Sequence, residues 1–196
     1  MNRFEDINKF LEEKKKILTK DDLSKKGSID IEIKSLVEQI NNNPDLCTTS
    51  SCAGRITLLE RKSNKKIDSK WLYSSHQPVD PEIIIKHLES NNDVWLMQES
   101  CILHVFVRTF EAAERFLKAC RQVGFKRSGI TAISGRIMIE TMGNEKVEAL
   151  LIKNGNKIVD DNYVKIIIKE SNDRMLKNRA KMDKLLEVIQ FDKSKK

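Results

Sequence analysis

Glycine is scarce in this chain of 196 residues. The seven glycines, at positions 27, 54, 124, 129, 135, 143 and 155, form neither GxGxxG nor GxxxxGKS. The Rossmann turn and the phosphate-cradling P-loop are therefore both excluded. The four cysteines, Cys47, Cys52, Cys101 and Cys120, follow no secretory disulfide framework, and the opening MNRFEDINKF lacks the apolar core of a signal peptide. A cytoplasmic protein with reduced thiols is expected. No apolar run approaches the ~20 residues of a membrane span. HExxH is missing, no Ser-His-Asp order stands out, and Cys47, Cys52, Cys101 and His104 are spaced as CxxxxC and CxxH without paired knuckles. No metal is expected.

Charge is what the chain has in quantity. Thirty-six Lys and Arg against 29 Asp and Glu leave a net charge of +7. That balance favours a polyanionic partner such as nucleic acid over an acidic small molecule.

Periodicity organises the rest. Phe4, Ile7, Leu11 and Leu18 suggest an amphipathic helix over about 3–18, followed by a loop from Lys20 to Gly27. Asp30 is placed to cap a helix whose Ile33, Leu36, Val37 and Ile40 share one face, ended by Asn41-Asn42-Asn43-Pro44. CTTSSCAGRITLLE reads as two strands joined at Ala53-Gly54, with a charged loop from Arg61 to Asp68 and a returning strand from Trp71 to Ser75. Asp80 and Pro81 open a helix carrying Ile84, Ile85 and Leu88, and strands are expected at 94–97 and 102–107. Thr109 starts a helix with Ala113, Phe116, Leu117 and Cys120 on one stripe and Gly124 at its end. GITAISGRIMIE forms paired strands, and after Asp160 and Asp161 a long helix spaces Ile168, Met175, Met182 and Ile189 seven residues apart.

An internal repeat is suggested by a constant offset. CAGRITLLE aligns with ISGRIMIE so that Arg55 and Arg136 are 81 positions apart, and the same offset sets PEIIIKHLESNND beside NYVKIIIKESNDR. The fold expected is α+β: a non-Rossmann mixed sheet flanked by helices, completed by duplicated α/β halves at 29–95 and 110–176, with a long C-terminal helix. One domain would span 1–190, and a disordered basic tail would follow at 191–196.

The string Thr48-Thr49-Ser50-Ser51-Cys52-Ala53-Gly54-Arg55 combines small hydroxyl and thiol groups, a permissive glycine and a planar fork of donors. It suits a carboxylate or phosphate ligand, or else a Ser/Thr turn whose arginine pairs with a nearby acid. His76 sits at a loop mouth where a general base or a base-stacking group could stand. His104 interrupts the apolar strand ILHVFV, where burial requires a hydrogen-bond partner.

DLSKKGSID at 22–30, TTSSCAGRI at 48–56, Trp71 with His76, Leu103-His104-Val105, GFKRSGI at 124–130 and Asn172-x-x-Met175-x-x-Asn178 occur together in one order. In this the chain resembles the wybutosine-synthesis tRNA methyltransferases over residues 20–186. The resemblance implies methyl transfer from S-adenosylmethionine to the N-4 nitrogen of a tricyclic wyosine intermediate, 3′ of the anticodon in phenylalanine tRNA. Other enzymes of that pathway are possible partners. Carried over by motif, Ser51, Cys52, Gly54, Arg55, Ser128 and Gly129 would form the cofactor site, and His76 or His104 would act as base or orienting group, with Asp30 a further candidate. Arg55 would hold the cofactor carboxylate or an RNA phosphate. Lys177, Arg179, Lys181 and Lys184 of the last helix would meet RNA phosphates. The competing reading is a noncatalytic basic RNA-binding module.

Overall fold

The computed structural model describes residues 4–20, 28–62 and 68–191, without the side chains of Gln190 and Phe191. The expected loop around Lys20–Gly27, the tip of the loop after Arg61 and the basic tail beyond 191 fall largely or wholly outside the described residues.

Among the described residues five helices and nine strands follow in chain order: α1 Ile7–Leu18, α2 Ile31–Asn41, β1 Leu46–Cys52, β2 Arg55–Arg61, β3 Ser69–Ser75, α3 Pro81–Lys86, β4 Asp93–Glu99, β5 Ile102–Val107, α4 Phe110–Gln122, β6 Arg127–Ala132, β7 Ile137–Met142, β8 Val147–Lys153, β9 Asn156–Lys157 and α5 Asp161–Phe191. Local chemistry starts most of the helices. Asp6 accepts from the Lys9 amide, Asp80 from Glu82, Thr109 from Ala112 and Asp160 from Tyr163, each satisfying a backbone N–H that the first turn leaves open. Asp30 occupies the same position before α2 but makes no capping bond. Its buried carboxylate accepts instead from the Ala53 amide at 2.9 Å.

The strands form two sheets, ordered β1-β5-β7-β6 and β3-β2-β4-β8-β9. Every pairing is antiparallel, which corrects the expected single mixed sheet. The physical reason lies in the connections. β2–β3, β6–β7 and β8–β9 pair as neighbours, and among the described residues no helix carries the chain over to a parallel partner.

Two compact units result, divided at Ala53/Gly54, Ser100/Cys101, Asn144/Glu145 and Asn178/Arg179. In the first, Leu46, Leu103, Val105, Val107, Ile137 and Ile139 of the sheet pack against α2, α4 and the end of α5 through Ile33, Ile40, Phe116 and Met182. On the opposite face of that sheet, Phe106 and Cys47 pack against Phe4 and Phe10. In the second unit, Ile56, Leu58, Val94 and Leu96 pack against α3 and the start of α5 through Ile84, Val164, Ile168 and Met175. Ile168, Met175, Met182 and Ile189 are all buried, so the seven-residue stripe of α5 supplies core to each unit in turn.

Helix α1 corrects the sequence reading. Phe10 and Lys14 are its buried residues, whereas Ile7, Leu11 and Leu18 are 39%, 42% and 45% exposed. Phe10 meets Phe106 at 4.7 Å between ring centroids, and the Lys14 ammonium donates to the Asn43 carbonyl at 2.6 Å. One well-packed aromatic and a snorkelling lysine outweigh the aliphatic stripe.

The element order does repeat at the offset of 81: α2, β1, β2, β3 and α3 correspond to α4, β6, β7, β8 and the start of α5. The pairing does not repeat. β6 and β7 form a hairpin while β1 and β2 lie in different sheets, and β2 pairs with β3 while β7 and β8 do not pair.

Candidate functional site

In the first unit the polar string divides by the faces of β1. Thr48 is buried and tied to α2, its amide donating to Asn41 Oδ1 and its hydroxyl accepting from Asn41 Nδ2, both at 2.8 Å. A bulge between Thr48 and Ser50 lets the Thr49 hydroxyl reach the His104 carbonyl at 3.3 Å and re-aims the strand. Ser50 then stands opposite His104, Ser51 opposite Leu103 and Cys52 opposite Ile102. Because paired residues share a face, the row Ser50, His104, Glu140, Gly129 crosses all four strands on the side away from α2 and α4.

His104 Nε2 lies 2.8 Å from Glu140 Oε2, with side-chain exposures of 36% and 34%. A carboxylate only accepts, so Nε2 carries the hydrogen, and in the neutral ring Nδ1 keeps a lone pair. The required partner for His104 is therefore a carboxylate at the solvent side. The other two histidines are held differently. His76 Nδ1–H donates to the Gly54 carbonyl at 3.0 Å, and His87 Nδ1–H donates to the Ile83 carbonyl at 2.7 Å within its own helix end.

Ser128 and Gly129 part company on β6. The Ser128 side chain is buried, its hydroxyl donating to the Phe125 carbonyl at 2.8 Å, which closes the turn after α4. Gly129 lies opposite Glu140, and a Cβ there would meet nothing within 4 Å.

The cysteines are chiefly core residues. Burial pushes the Cys47 and Cys120 thiols up to about 11 and the Cys101 thiol up to about 12. Cys47 belongs to the aromatic cluster and Cys101 to the cluster on the other sheet face, so the four-ligand set weighed from sequence is not assembled. Cys52 alone is partly exposed.

In the second unit, Gly54 has φ 86°, a conformation that favours glycine, and it turns the chain into β2. Arg55 Nε donates to Glu99 Oε2 from the adjacent strand β4, and its guanidinium carbon lies 4.2 Å from the centre of the Trp71 ring. The carboxylate partner thus comes from the protein itself. Asn172 and Asn178 of the terminal motif are clamps: Asn172 bonds both the amide and the carbonyl of Val79 at 2.9 Å, and Asn178 donates to the Glu145 carbonyl at 2.8 Å.

Of the four cations expected to meet RNA, Lys177 and Lys184 are exposed, while Arg179 pairs with Glu32 at 3.7 Å and Lys181 is half-buried. Glu99 and Glu140 were missed in the sequence because a lone acid in a strand carries no local signature. The strict alternation of IMIETM, which sets Glu140 opposite its buried neighbours, was the available clue.

Among the described residues no helix is long and apolar enough to cross a membrane. The sequence profile of Methyltransferase TYW3 matches residues 9–191. The chain is 32% identical over 170 residues to the tRNA(Phe) 7-((3-amino-3-carboxypropyl)-4-demethylwyosine(37)-N(4))-methyltransferase 1 of Pyrococcus abyssi, covering 85% of this chain and 88% of that one. It is 32% identical over 183 residues to the human tRNA wybutosine-synthesizing protein 3 homolog, covering 90% and 71%. The solved PH1069 protein of Pyrococcus horikoshii superimposes with a TM-score of 0.85 at 30% identity, over 94% of this chain and 98% of that one. With a profile spanning nearly its whole length, relatives at this identity and a matching fold, the chain belongs to the TYW3 methyltransferase family.

Proposed function

We propose that this chain methylates the N4 nitrogen of 7-(3-amino-3-carboxypropyl)-4-demethylwyosine in tRNA(Phe), with S-adenosylmethionine as donor and wybutosine synthesis as its pathway. The family and the names of the relatives support the reaction. The observation that carries its chemistry is the His104–Glu140 couple.

S-adenosylmethionine, when bound, supplies an electrophilic methyl group on a sulfonium. The nitrogen that accepts it must lose a proton. His104 Nδ1, whose lone pair the Glu140 contact leaves available, takes that proton, and the Glu140 carboxylate faces the imidazolium that forms. Among the described residues Nδ1 has no protein partner, which leaves it open to the substrate. Cys52 and Gly129, on the His104 face of the two outer strands of the sheet, would hold the cofactor, whereas Ser51 stands on the opposite face beside Leu103; the open space at Gly129 admits a ligand against backbone, which fits a small polar group. For Arg55 an RNA contact fits better than the cofactor carboxylate, because Glu99 already occupies its Nε. Lys177 and Lys184 are the α5 cations exposed for phosphate contact.

The test is transfer of a labelled methyl group to tRNA(Phe) from cells lacking this protein. Incorporation is expected with the wild-type chain, with His104→Ala reducing kcat on the order of a hundredfold. Binding of tRNA without any incorporation would leave only the noncatalytic RNA-binding reading.

A further inference from the structure

The second unit presents one face of its sheet to its helices and carries different chemistry on the other. Leu59 pairs with Trp71 on one side and with Trp95 on the other, and Trp95 pairs with Leu150, so Trp71, Leu59, Trp95 and Leu150 form a cross-strand row. Their neighbours Leu58, Val94 and Leu96 point the opposite way into the core with α3 and α5. Both tryptophans of the chain thus lie on the sheet face turned away from those helices.

Each is attended by an arginine. The Arg61 guanidinium lies 5.4 Å from the Trp95 ring centre and reaches the Met97 sulfur at 3.9 Å. Arg55 is closer to its own indole, at 4.2 Å, and Glu99 holds it by Nε alone. Among the described residues no hydrogen bond involves the two terminal nitrogens of Arg55. Trp71 remains 45% exposed. The half-exposed indole and the guanidinium with unspent donors beside it are matched by a flat ring flanked by acceptor oxygens and negative charge.

We infer that Trp71, with Arg55 oriented by Glu99, is a stacking platform for an unpaired nucleobase of RNA. The base stacks on the exposed indole or on the guanidinium plane over it, and the free Arg55 donors take an adjacent phosphate or base acceptor. The occupant is an unpaired base of the proposed tRNA substrate other than the tricycle that meets His104; to that extent the inference rests on the proposed function. Trp71 is thereby an RNA-binding residue, and Glu99 a positioning residue acting through Arg55.

The chain's two tryptophans make the test direct. A Trp95→Phe protein leaves Trp71 as the sole indole emitter. Titration with tRNA(Phe) should quench its fluorescence to saturation, whether the unmethylated tricycle or plain guanosine stands at the modified position. Trp71→Leu should weaken tRNA binding about tenfold or more, with Trp71→Phe recovering most of it and circular dichroism unchanged in both. Glu99→Gln should weaken binding less than Trp71→Leu and add nothing to it in the double variant. Trp71 emission unaltered at saturating tRNA, or a Trp71→Leu protein with wild-type affinity, overturns the platform. Quenching of Trp71 in the Trp95→Phe protein, with no methyl transfer by the wild-type chain, supports the platform while overturning the proposed reaction.

Discussion

Arg55 and Arg136 are 81 residues apart, and their surroundings share a design. Each pairs with a glutamate from another element, Arg55 with Glu99 and Arg136 with Glu13, and each lies over aromatic rings. The rings differ. Under Arg55 is Trp71, 45% exposed, whereas Arg136 lies 5.5 and 5.4 Å from Phe4 and Phe106, which are 6% and 0% exposed. One arginine covers a buried core; the other lies beside a half-exposed ring. A shared local arrangement takes its role from how deeply its aromatic is buried.

The largest expected contrast lies in the rings themselves. Phe106→Ala empties a space lined by Phe4, Phe10 and Cys47 and should cost about 3–5 kcal/mol of stability. Trp71→Ala should cost on the order of 1 kcal/mol, since much of that side chain is already in water. Chemical denaturation of both variants measures this, and equal losses would erase the distinction. At the next level, Arg55→Ala should remove about 2 kcal/mol of tRNA binding, roughly thirtyfold, with little change in melting temperature. Arg55→Lys should restore part of it, because an ammonium lacks the flat fork that stacks and donates at once. Arg136→Ala should show the reverse pattern: about 1 kcal/mol of stability, discounted for its partial exposure, with methyl transfer unchanged. Comparable transfer defects at both arginines would break the comparison.

The smallest effect concerns Cys47, packed beneath the Arg136 side of the sheet. At pH 8 a thiol reagent should modify Cys52 in the folded protein and spare Cys47, Cys101 and Cys120, whose burial favours the protonated form. Because these three thiols ionise at about 11 to 12 when folded, against 9.0 for the ordinary group, their contribution to stability is complete below about pH 9 and declines as pH rises towards 11 and 12. Mass spectrometry after labelling reads the first claim, and denaturation between pH 8 and 10 the second. Rapid labelling of Cys47 in otherwise native protein would place it outside the core.

Much of the site could be named from sequence, but not its wiring. His104 was singled out because it breaks an apolar strand, and its need for a partner followed from the cost of burying a polar group. The identity of Glu140 did not, since that residue lies 36 positions away and becomes a neighbour only through the β5–β7 register. The polar string was legible as one unit of chemistry and proved to be three things: Thr48 ties down α2, Ser50 and Cys52 flank His104 on its face of the sheet, and Arg55 begins the other sheet. Ser128 and Gly129 look equivalent in sequence. One is buried and the other open because strand neighbours face opposite ways.

The sequence by itself determined what depends on a few consecutive residues. The stripe of α2, the caps at Asp80 and Thr109, the turn at Gly54 and the seven-residue spacing of α5 were all readable, because hydrogen bonding within a turn and the period of a helix are local. The tertiary structure decided which side of α1 is buried, that β1 and β2, separated by two residues in the chain, lie in different sheets, and which acid answers which base. Those outcomes depend on long-range strand pairing and on competition among buried side chains, where Phe10 against Phe106 prevails over three aliphatic residues.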